Sequence, residues 1–498
     1  MTRFYIENFG CRATQADGAA LDRQFLDRGL DRADAIHDAE IVVLNTCTVT
    51  EGADRDVRAS IRRLQRENPT CRILVTGCYA QRAPEELAAL PGVTWVVGNS
   101  HKHQAVEIAT SSFPKRAFSA GSHFVPLTQL SGNQPSTVVV GDIFAHTELL
   151  AAPVFDAANE RTRPNLKVQD GCDNRCSFCV IPYVRGQSRS LPLERVISEV
   201  HSLVAAGYRE VVLSGINLGR WGRDLEGSWQ LSAGSSQLNP ATRDRRLETL
   251  ILAILQRTTL AKLRISSVEP MDWSDELIAL VASSARIAKH AHIPMQSGSD
   301  TVLRRMHRKY RPWHYREKVN KIRAAMPKAA IGADVMVGFP GESDAEFEET
   351  RRMIEELPFT YLHVFTYSPR PGTPAAEQSG QVPVAVARHR NRVLREIASE
   401  KKEGFMQCLV GTEVEAITLQ TGDDDFTDAL TDNYLKIKIG GQHRANQWML
   451  VTVAGVDGEK LVGHPEEVCE PSRSVAGRGG PGRRSASDSG VHGLQETH

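Results

Sequence analysis

The sequence predicts an α/β protein of several domains: an N-terminal open parallel α/β sheet, a central partial (β/α)6-type barrel, and a small C-terminal all-β module. Three observations carry this. The chain has 498 residues, too many for one ordinary domain. Apolar strand-like runs alternate with helical spacing over two separate stretches, the pattern of parallel sheets. Beyond residue 405 the period shortens to strand-like alternation in EVEAITLQ, YLKIKI and WMLVTVAGV. Hydrophobic residues make up 41% of the chain, enough for real cores, and 60 acidic residues balance 60 basic ones. Bulk charge therefore advertises neither a nucleic acid nor a membrane as partner.

The elements follow in order. RFYIENFG (3–10) reads as a strand ending at Cys11, and residues 17–30 have helical spacing. AEIVVLNT (39–46) is a buried strand ending at Cys47, followed by a charged helix over about 52–67. CRILVTG (71–77) is a third strand, ending at Cys78. PEELAAL (84–90) opens a helix with proline, and TWVVGN (94–99) is a fourth strand. Cys11, Cys47 and Cys78 thus each follow a different strand. In an open α/β sheet the carboxyl ends of strands line one crevice where ligands sit. The three are either convergent ligands or small buried residues, since free cysteine packs as a hydrophobe. Cys71 begins its strand and reads as core; Cys408 and Cys469 read as incidental.

Residues 111–163 lose periodicity and are linker-like, with VVVGDIF (138–144) as a short strand. From 165 to about 400 the strand–helix rhythm resumes. LKVQ (166–169) leads into a cysteine loop, and LERVISEVHSLVAAG is a helix with Gly207 at its C-terminal cap. REVVLSGIN, KLRISSVEP, HAHIPMQSGS, IGADVMVGFPGE and YLHVFTYSPRPGTPA supply further strands and loops. Six such units fit a β/α barrel or part of one, active on the loops at its strands' carboxyl ends. Residues 224–245 read as an inserted surface loop. The expected boundaries are 1–115, a linker 116–160, 161–400, 401–470, and a Gly/Ser/Arg-rich disordered tail over 471–498.

The cysteine loop QDGCDNRCSFCVIPYVRG (169–186) has the spacing C-x3-C-x2-C. Three thiolates this close can hold three irons of a 4Fe–4S cube and leave the fourth without a protein ligand. Ferredoxin-type carriers close the cluster with four cysteines. Structural zinc wants a fourth Cys or His nearby, and the next histidine, His201, lies in a predicted helix. Zinc and a chance triplet are the alternatives. Nine cysteines in so long a chain are no disulfide scaffold. MTRFYIENFG lacks a secretory pattern, and no apolar run approaches the roughly 18 residues of a membrane span. A cytoplasmic location is expected.

With GC at 10–11, NTC at 45–47, GC at 77–78 and GFPGE at 338–342, the chain resembles the methylthiotransferases of the radical S-adenosylmethionine (SAM) superfamily over residues 3–468. The resemblance implies a TRAM-type C-terminal barrel and two 4Fe–4S clusters. Cys172, Cys176 and Cys179 would hold the one that binds SAM. Cys11, Cys47 and Cys78 would hold an auxiliary one that carries the sulfur. One SAM would methylate that sulfur, and a second would yield a 5′-deoxyadenosyl radical that abstracts hydrogen from an unactivated carbon. Ser214, Gly215, Glu269 and Gln296 are the expected SAM-site residues, with Ser297 in the same loop as Gln296. Glu269 is equally a plain loop carboxylate, and His292 equally a satisfied core histidine. Arg185 is expected to offset charge beside the SAM cluster or to lie on the surface. Glu342 is expected to cap the next helix.

TCTVT, GCYAQ and LHVFTYSPRPGTPA most resemble the group acting on threonylcarbamoyl-adenosine beside the tRNA anticodon. Isopentenyl-adenosine in tRNA, an aspartate of a ribosomal protein, and a noncatalytic iron–sulfur relay are the alternatives. The expected partners are the tRNA anticodon loop and an electron donor such as flavodoxin or ferredoxin. The sequence departs from the family at Thr14, where asparagine is expected. It also departs in the β-module, where 405–468 hold eleven Asp or Glu against four Lys or Arg. A nucleic-acid surface normally carries local positive charge. Lys436, Lys438 and Arg444, or the helix bearing Arg55, Arg58, Arg62, Arg63 and Arg66, are the candidate grips, the latter equally a solvated face.

Overall fold

A computed structural model describes residues 2–111, 136–145, 149, 162–225 and 246–465. The expected tail, most of the linker, nearly all of the inserted loop and Cys469 lie outside these residues.

The N-terminal sheet is wholly parallel. Its strands run in the order Asp31–Arg32, Arg3–Asn8, Ile41–Thr46, Arg72–Gly77, Val93–Gly98, Thr137–Val139. IVVLNT forms a central strand because all but Asn45 are apolar or β-branched, and every residue in it is buried. Side chains alternate between faces. Val42 and Leu44 join Val57, Ile61 and Leu64 on one side, while Ile41 and Val43 join Phe4, Leu21 and Phe25 on the other. Phe4 and Phe25 stack with ring centroids 4.7 Å apart. Such a side chain contributes about 1.5–3 kcal/mol by burial. Helix Glu51–Glu67 starts where the Thr50 hydroxyl accepts from the Ala53 N–H at 3.2 Å. It ends at Asn68, whose side chain donates to the carbonyl of Ala39 at 2.8 Å.

Six parallel strands form the central partial barrel: Asn165–Asp170, Glu210–Gly215, Lys262–Ile265, His290–His292, Ala330–Val337 and Tyr361–Thr366. Ladders join the first three and the last three. Parallel bridges Leu263↔Ile287 and Ser267↔His292 connect the two groups. Among the described residues no ladder links Tyr361–Thr366 to Asn165–Asp170. At that gap helix Arg12–Asp27 of the N-terminal sheet packs on Asn165–Asp170, and the long helix Val384–Gln407 packs on Tyr361–Thr366. Gly207, with φ +91°, follows helix Leu193–Ala205 as the expected C-terminal glycine.

The C-terminal strands Glu413–Gly422, Phe426–Thr431, Lys436–Gly440, Lys460–Pro465 and Trp448–Asp457 close into a barrel in that order. Val414, Ala416, Ala429, Ile437, Ile439, Val451, Val453 and Leu461 fill it. Its turn residue Tyr434 reaches the central barrel. The ring lies 4.7 Å from that of His290 and 5.9 Å from that of Tyr361, with the Arg264 guanidinium 5.4 Å from its centroid. No helix among the described residues is long and apolar enough to cross a membrane.

The GFPGE expectation needs correcting. Glu342 does not cap the following helix. Its carboxylate accepts from the Gly338 N–H and from Arg390, each at 2.6 Å. Ser343 caps helix Asp344–Glu356 and forms a reciprocal capping box with Glu346.

Candidate active site

Strand Asn165–Asp170 delivers the C-x3-C-x2-C loop through Gly171, at φ +71°. A Cβ there would lie 1.9 Å from the Gln187 carbonyl oxygen, so only glycine fits this turn. The loop is braced by the Cys172 N–H donating to Gly186 O and the Cys179 N–H to Cys176 O, both at 3.1 Å. Each end of the thiol set has a donor. The Asn174 N–H lies 3.4 Å and Asn217 Nδ2 3.6 Å from Cys172 Sγ. Arg308 Nη1 lies 3.4 Å from Cys176 Sγ. Burial, with the charge of Cys176, pushes the Cys179 thiol up to about 12. Cys172 is raised in the same way.

Cys176 therefore stands close enough to Cys172 and Cys179 to oppose their ionisation, a tension that bound iron would relieve by taking thiolates. Three interacting thiols on one short loop are the donor chemistry that a 4Fe–4S cluster takes, so the donor set fits one.

Beside Cys176 a small cavity is lined by Asn174, Arg220, Glu269, Arg308 and Tyr310, among others. Glu269 sits at this mouth, ion-paired with Arg308. Ser214 is buried, its hydroxyl near the Leu166 carbonyl oxygen at 3.5 Å. Gly215 does allow a close approach, but by Gln169, whose Oε1 would lie 2.9 Å from an added Cβ. Gln296 holds φ +62° and ties its backbone to Asp334 and Met336. Ser297 is fully buried and bonds Thr350 at 3.1 Å, packed into the wall and not the mouth.

The second cysteine set converges as the strand ends predict. Cys11, Cys47 and Cys78 follow three strands that are neighbours in the sheet. Gly10 and Gly77 precede two of them at φ +99° and +104°. A Cβ on Gly10 would lie 2.7 Å from Cys47 Sγ, and one on Gly77 would lie 2.4 Å from Thr46 O. Burial pushes the Cys47 thiol up to about 12, with Cys78 and then Cys11 adding to the effect. Cys47 and Cys78 are 2% exposed, whereas Cys11 faces solvent. The family departure at Thr14 bears directly on this set, because its hydroxyl lies 3.6 Å from Cys11 Sγ. Here too three cysteines stand near enough for two of them to bear on the ionisation of the third.

The two sets share an element. Helix Ile181–Arg185 begins two residues after Cys179, and Val180 and Val184 pack on Cys78. Asn99 Nδ2 donates to the Val184 carbonyl at 2.7 Å and lies 3.5 Å from Cys78 Sγ. Arg185 is not on the surface: it is 2% exposed and paired with Asp17 and Asp170.

Inside the barrel, alternation places Asp334 and Met336 on one inner face with His363 and Phe365. His292 Nδ1 lies 2.9 Å from the Ser267 hydroxyl, and Nε2 lies 3.4 Å from Asp334 Oδ1. The His363 ring is 5.6 Å from that of His292, and Phe365 stays 45% exposed. Burial and then His292 lower the His363 pKa. Sequence reasoning missed Arg308, Asn217, Asp334, His363 and Phe365. Each meets its partner across tens of residues or more, and only the basic run MHRKY marks Arg308 locally.

Residues 3–98 match the model described as uncharacterized protein family UPF0004, and residues 166–354 match the radical SAM superfamily. The chain is 35% identical over 450 residues to the threonylcarbamoyladenosine tRNA methylthiotransferase MtaB of Aquifex aeolicus, covering 90% of this chain and 99% of that one. It is 36% identical over 449 residues to the MtaB of Bacillus subtilis, covering 89% and 91%. To the tRNA-2-methylthio-N(6)-dimethylallyladenosine synthase of Bacillus velezensis it is 29% identical over 421 residues, covering 83% and 75%. Among solved structures, the radical SAM methyltransferase TsrM of Kitasatospora setae shares the fold at a TM-score of 0.50 and 15% identity over 75% of each chain.

Proposed function

The chain belongs to the radical SAM methylthiotransferases, enzymes of tRNA modification, and from that premise we propose that it places a methylthio group on carbon 2 of threonylcarbamoyl-adenosine beside the tRNA anticodon. Cys172, Cys176 and Cys179 are assigned to the 4Fe–4S cluster that meets SAM, and Cys11, Cys47 and Cys78 to a second, auxiliary 4Fe–4S cluster. The domains are assigned as 1–115, 161–400 and 401–470, with flavodoxin or ferredoxin as the electron donor. The observation that carries the two-site reading is the proximity of three thiols at the carboxyl ends of adjacent strands, tied by helix Ile181–Arg185 to the first cysteine loop. The substrate rests on the MtaB relatives.

Bound at these sites, the clusters and SAM supply radical formation and the sulfur to be transferred. The chain's own residues position and seal. Arg308 sets a permanent positive charge beside Cys176 and holds Glu269 at the mouth, where that carboxylate is placed to meet a polar group of SAM. Asn217 offers its amide to Cys172, and its own N–H donates to Gln169 at 2.7 Å, which fixes the loop. Tyr434, His290, Tyr361 and Arg264 pack into a floor that excludes water from one end of the barrel. Phe365 offers an apolar ring on the inner wall against which a base can stack.

Nucleoside mass spectrometry of tRNA from cells lacking the gene tests the proposal. The 2-methylthio form of threonylcarbamoyl-adenosine should disappear and return with the wild-type gene. Disappearance of the isopentenyl-adenosine derivative instead, or of a modified ribosomal peptide, would overturn the substrate assignment.

A further inference from the structure

Between the two cysteine sets lies a buried cluster of five charges. Asp17 comes from helix Arg12–Asp27, Lys102 from the turn after strand Val93–Gly98, and Lys167 and Asp170 from the first barrel strand. Arg185 ends the helix that follows Cys179. Arg185 bonds Asp17 at 3.0 Å and Asp170 at 2.9 Å. Lys102 bonds Asp17 at 2.9 Å, and Lys167 bonds Asp170 at 2.7 Å and pairs with Asp17 as well. All five are buried.

Two carboxylates thus face three cations, a surplus of one positive charge. At the cluster's edge the half-buried Arg189 adds a further cation, on which Asp170 and Asp224 both act. A buried charge without a counter-charge is strongly disfavoured, and natural structures pair it. The side from which compensation comes is identifiable. Arg185 lies within electrostatic reach of Cys78 and Cys11 as well as of its two aspartates, and Lys102 within reach of Cys78. Val184, the neighbour of Arg185, packs on Cys78. Arg185 Nε is fully buried and has no hydrogen-bond partner. An orphaned guanidinium N–H in a site of surplus positive charge calls for an anion.

We infer that Arg185 and its buried partners form a fixed cationic seat for an anionic iron–sulfur centre on Cys11, Cys47 and Cys78, and that this seat sets the reduction potential of that centre. The inference rests on the two-cluster reading. Arg185 is a positioning residue: it acts through charge and touches no substrate. A fixed positive charge stabilises the more electron-rich state, so it raises the potential. Because Arg185 lies six residues beyond Cys179, the same short segment carries ligands of one centre and the counter-charge of the other.

The test is a redox titration, followed by electron paramagnetic resonance, of the anaerobically reconstituted full-length protein. Arg185→Gln should lower the potential of the auxiliary centre alone. Asp17→Asn, which increases the positive surplus, should raise it. Arg185→Lys, which keeps the charge, should leave the potential near wild type. Lys102→Gln, on the turn after strand Val93–Gly98 and not on the segment that follows Cys179, serves if Arg185→Gln fails to fold, and should also lower the potential. A merely structural role predicts no such opposition of sign. About eight irons per chain with potentials that do not follow charge would overturn the inference alone. About four irons in the wild type would sink the two-cluster reading and the inference with it.

Discussion

Gly77 and Gly29 both have positive φ, at +104° and +78°, yet their surroundings differ. A Cβ at Gly77 would strike backbone atoms of Thr46 at 2.4 and 2.6 Å, one residue from Cys47, while one at Gly29 meets nothing within 4 Å. Gly29→Ala should therefore cost only about 1–2 kcal/mol, the left-handed backbone term. Gly77→Ala should cost more, on the order of 2–4 kcal/mol, because two neighbouring strands must move apart. Urea unfolding of both variants checks this, and equal losses would contradict it. The strand-end cysteines are legible in the sequence because each closes an apolar run, and the run places it. Asp17, Lys102 and Arg308 are not legible, since a pairing such as Lys167 with Asp17 joins residues 150 positions apart and leaves no local pattern. The Ser343–Glu346 box is legible in SDAE, three residues apart, although the turn glycines draw attention to Glu342 instead.

At the scale of elements, the barrel floor carries a pH dependence. His290 is buried against Arg264, and both burial and that charge hold its pKa well below the ordinary histidine value. It is neutral when folded and gains its proton more readily when unfolded. The stability it contributes is present above pH 6.5 and is lost as the pH falls below that value, at up to about 1.4 kcal/mol per pH unit. His290→Gln should flatten the fall in stability between about pH 6.5 and 5 by one proton's worth. An unchanged slope in denaturant titrations across that range would refute the assignment.

The helices also speak to how tRNA is held. In helix Glu51–Glu67, Arg58 is spent on Tyr79 and Glu86 and Arg63 on Glu7, which leaves Arg55, Arg62 and Arg66 exposed. Helix Val384–Gln407 packs on the edge strand Tyr361–Thr366 and exposes Arg388, Arg392 and Arg395 along one side, at helical spacing. The acidic β-barrel offers less: Lys438 pairs with Asp457, and Lys460 with Asp428. Replacing Arg388, Arg392 and Arg395 with serine should weaken tRNA binding. It should also reduce the slope of log affinity against log salt by about 0.7 for each phosphate no longer neutralised, the single-strand value. Filter binding across a salt series measures it; an unchanged slope would place the phosphate-binding surface elsewhere.

At the scale of the whole molecule, the other two modules pack against the partial barrel. The N-terminal sheet packs against the open side of the partial barrel through helix Arg12–Asp27, and the C-terminal barrel closes its floor through Tyr434. Periodicity makes each module legible, because strand and helix periods are local properties of the chain. Their docking is not legible. It depends on bonds such as Arg12 donating to the Tyr434 hydroxyl at 2.9 Å and Asn165 to the Arg12 carbonyl at 2.8 Å, which join distant segments. The alternation of Tyr361–Thr366 is visible in LHVFTY, but which of its faces lines the barrel is settled only by the neighbouring strand.

The most direct test of two thiol-held cubes is iron and sulfide quantification on anaerobically reconstituted protein. Wild type should hold about eight irons per chain. Cys11→Ala/Cys47→Ala/Cys78→Ala and Cys172→Ala/Cys176→Ala/Cys179→Ala should each retain about four, with different spectra. A first triple variant that keeps the full wild-type iron content would contradict the account.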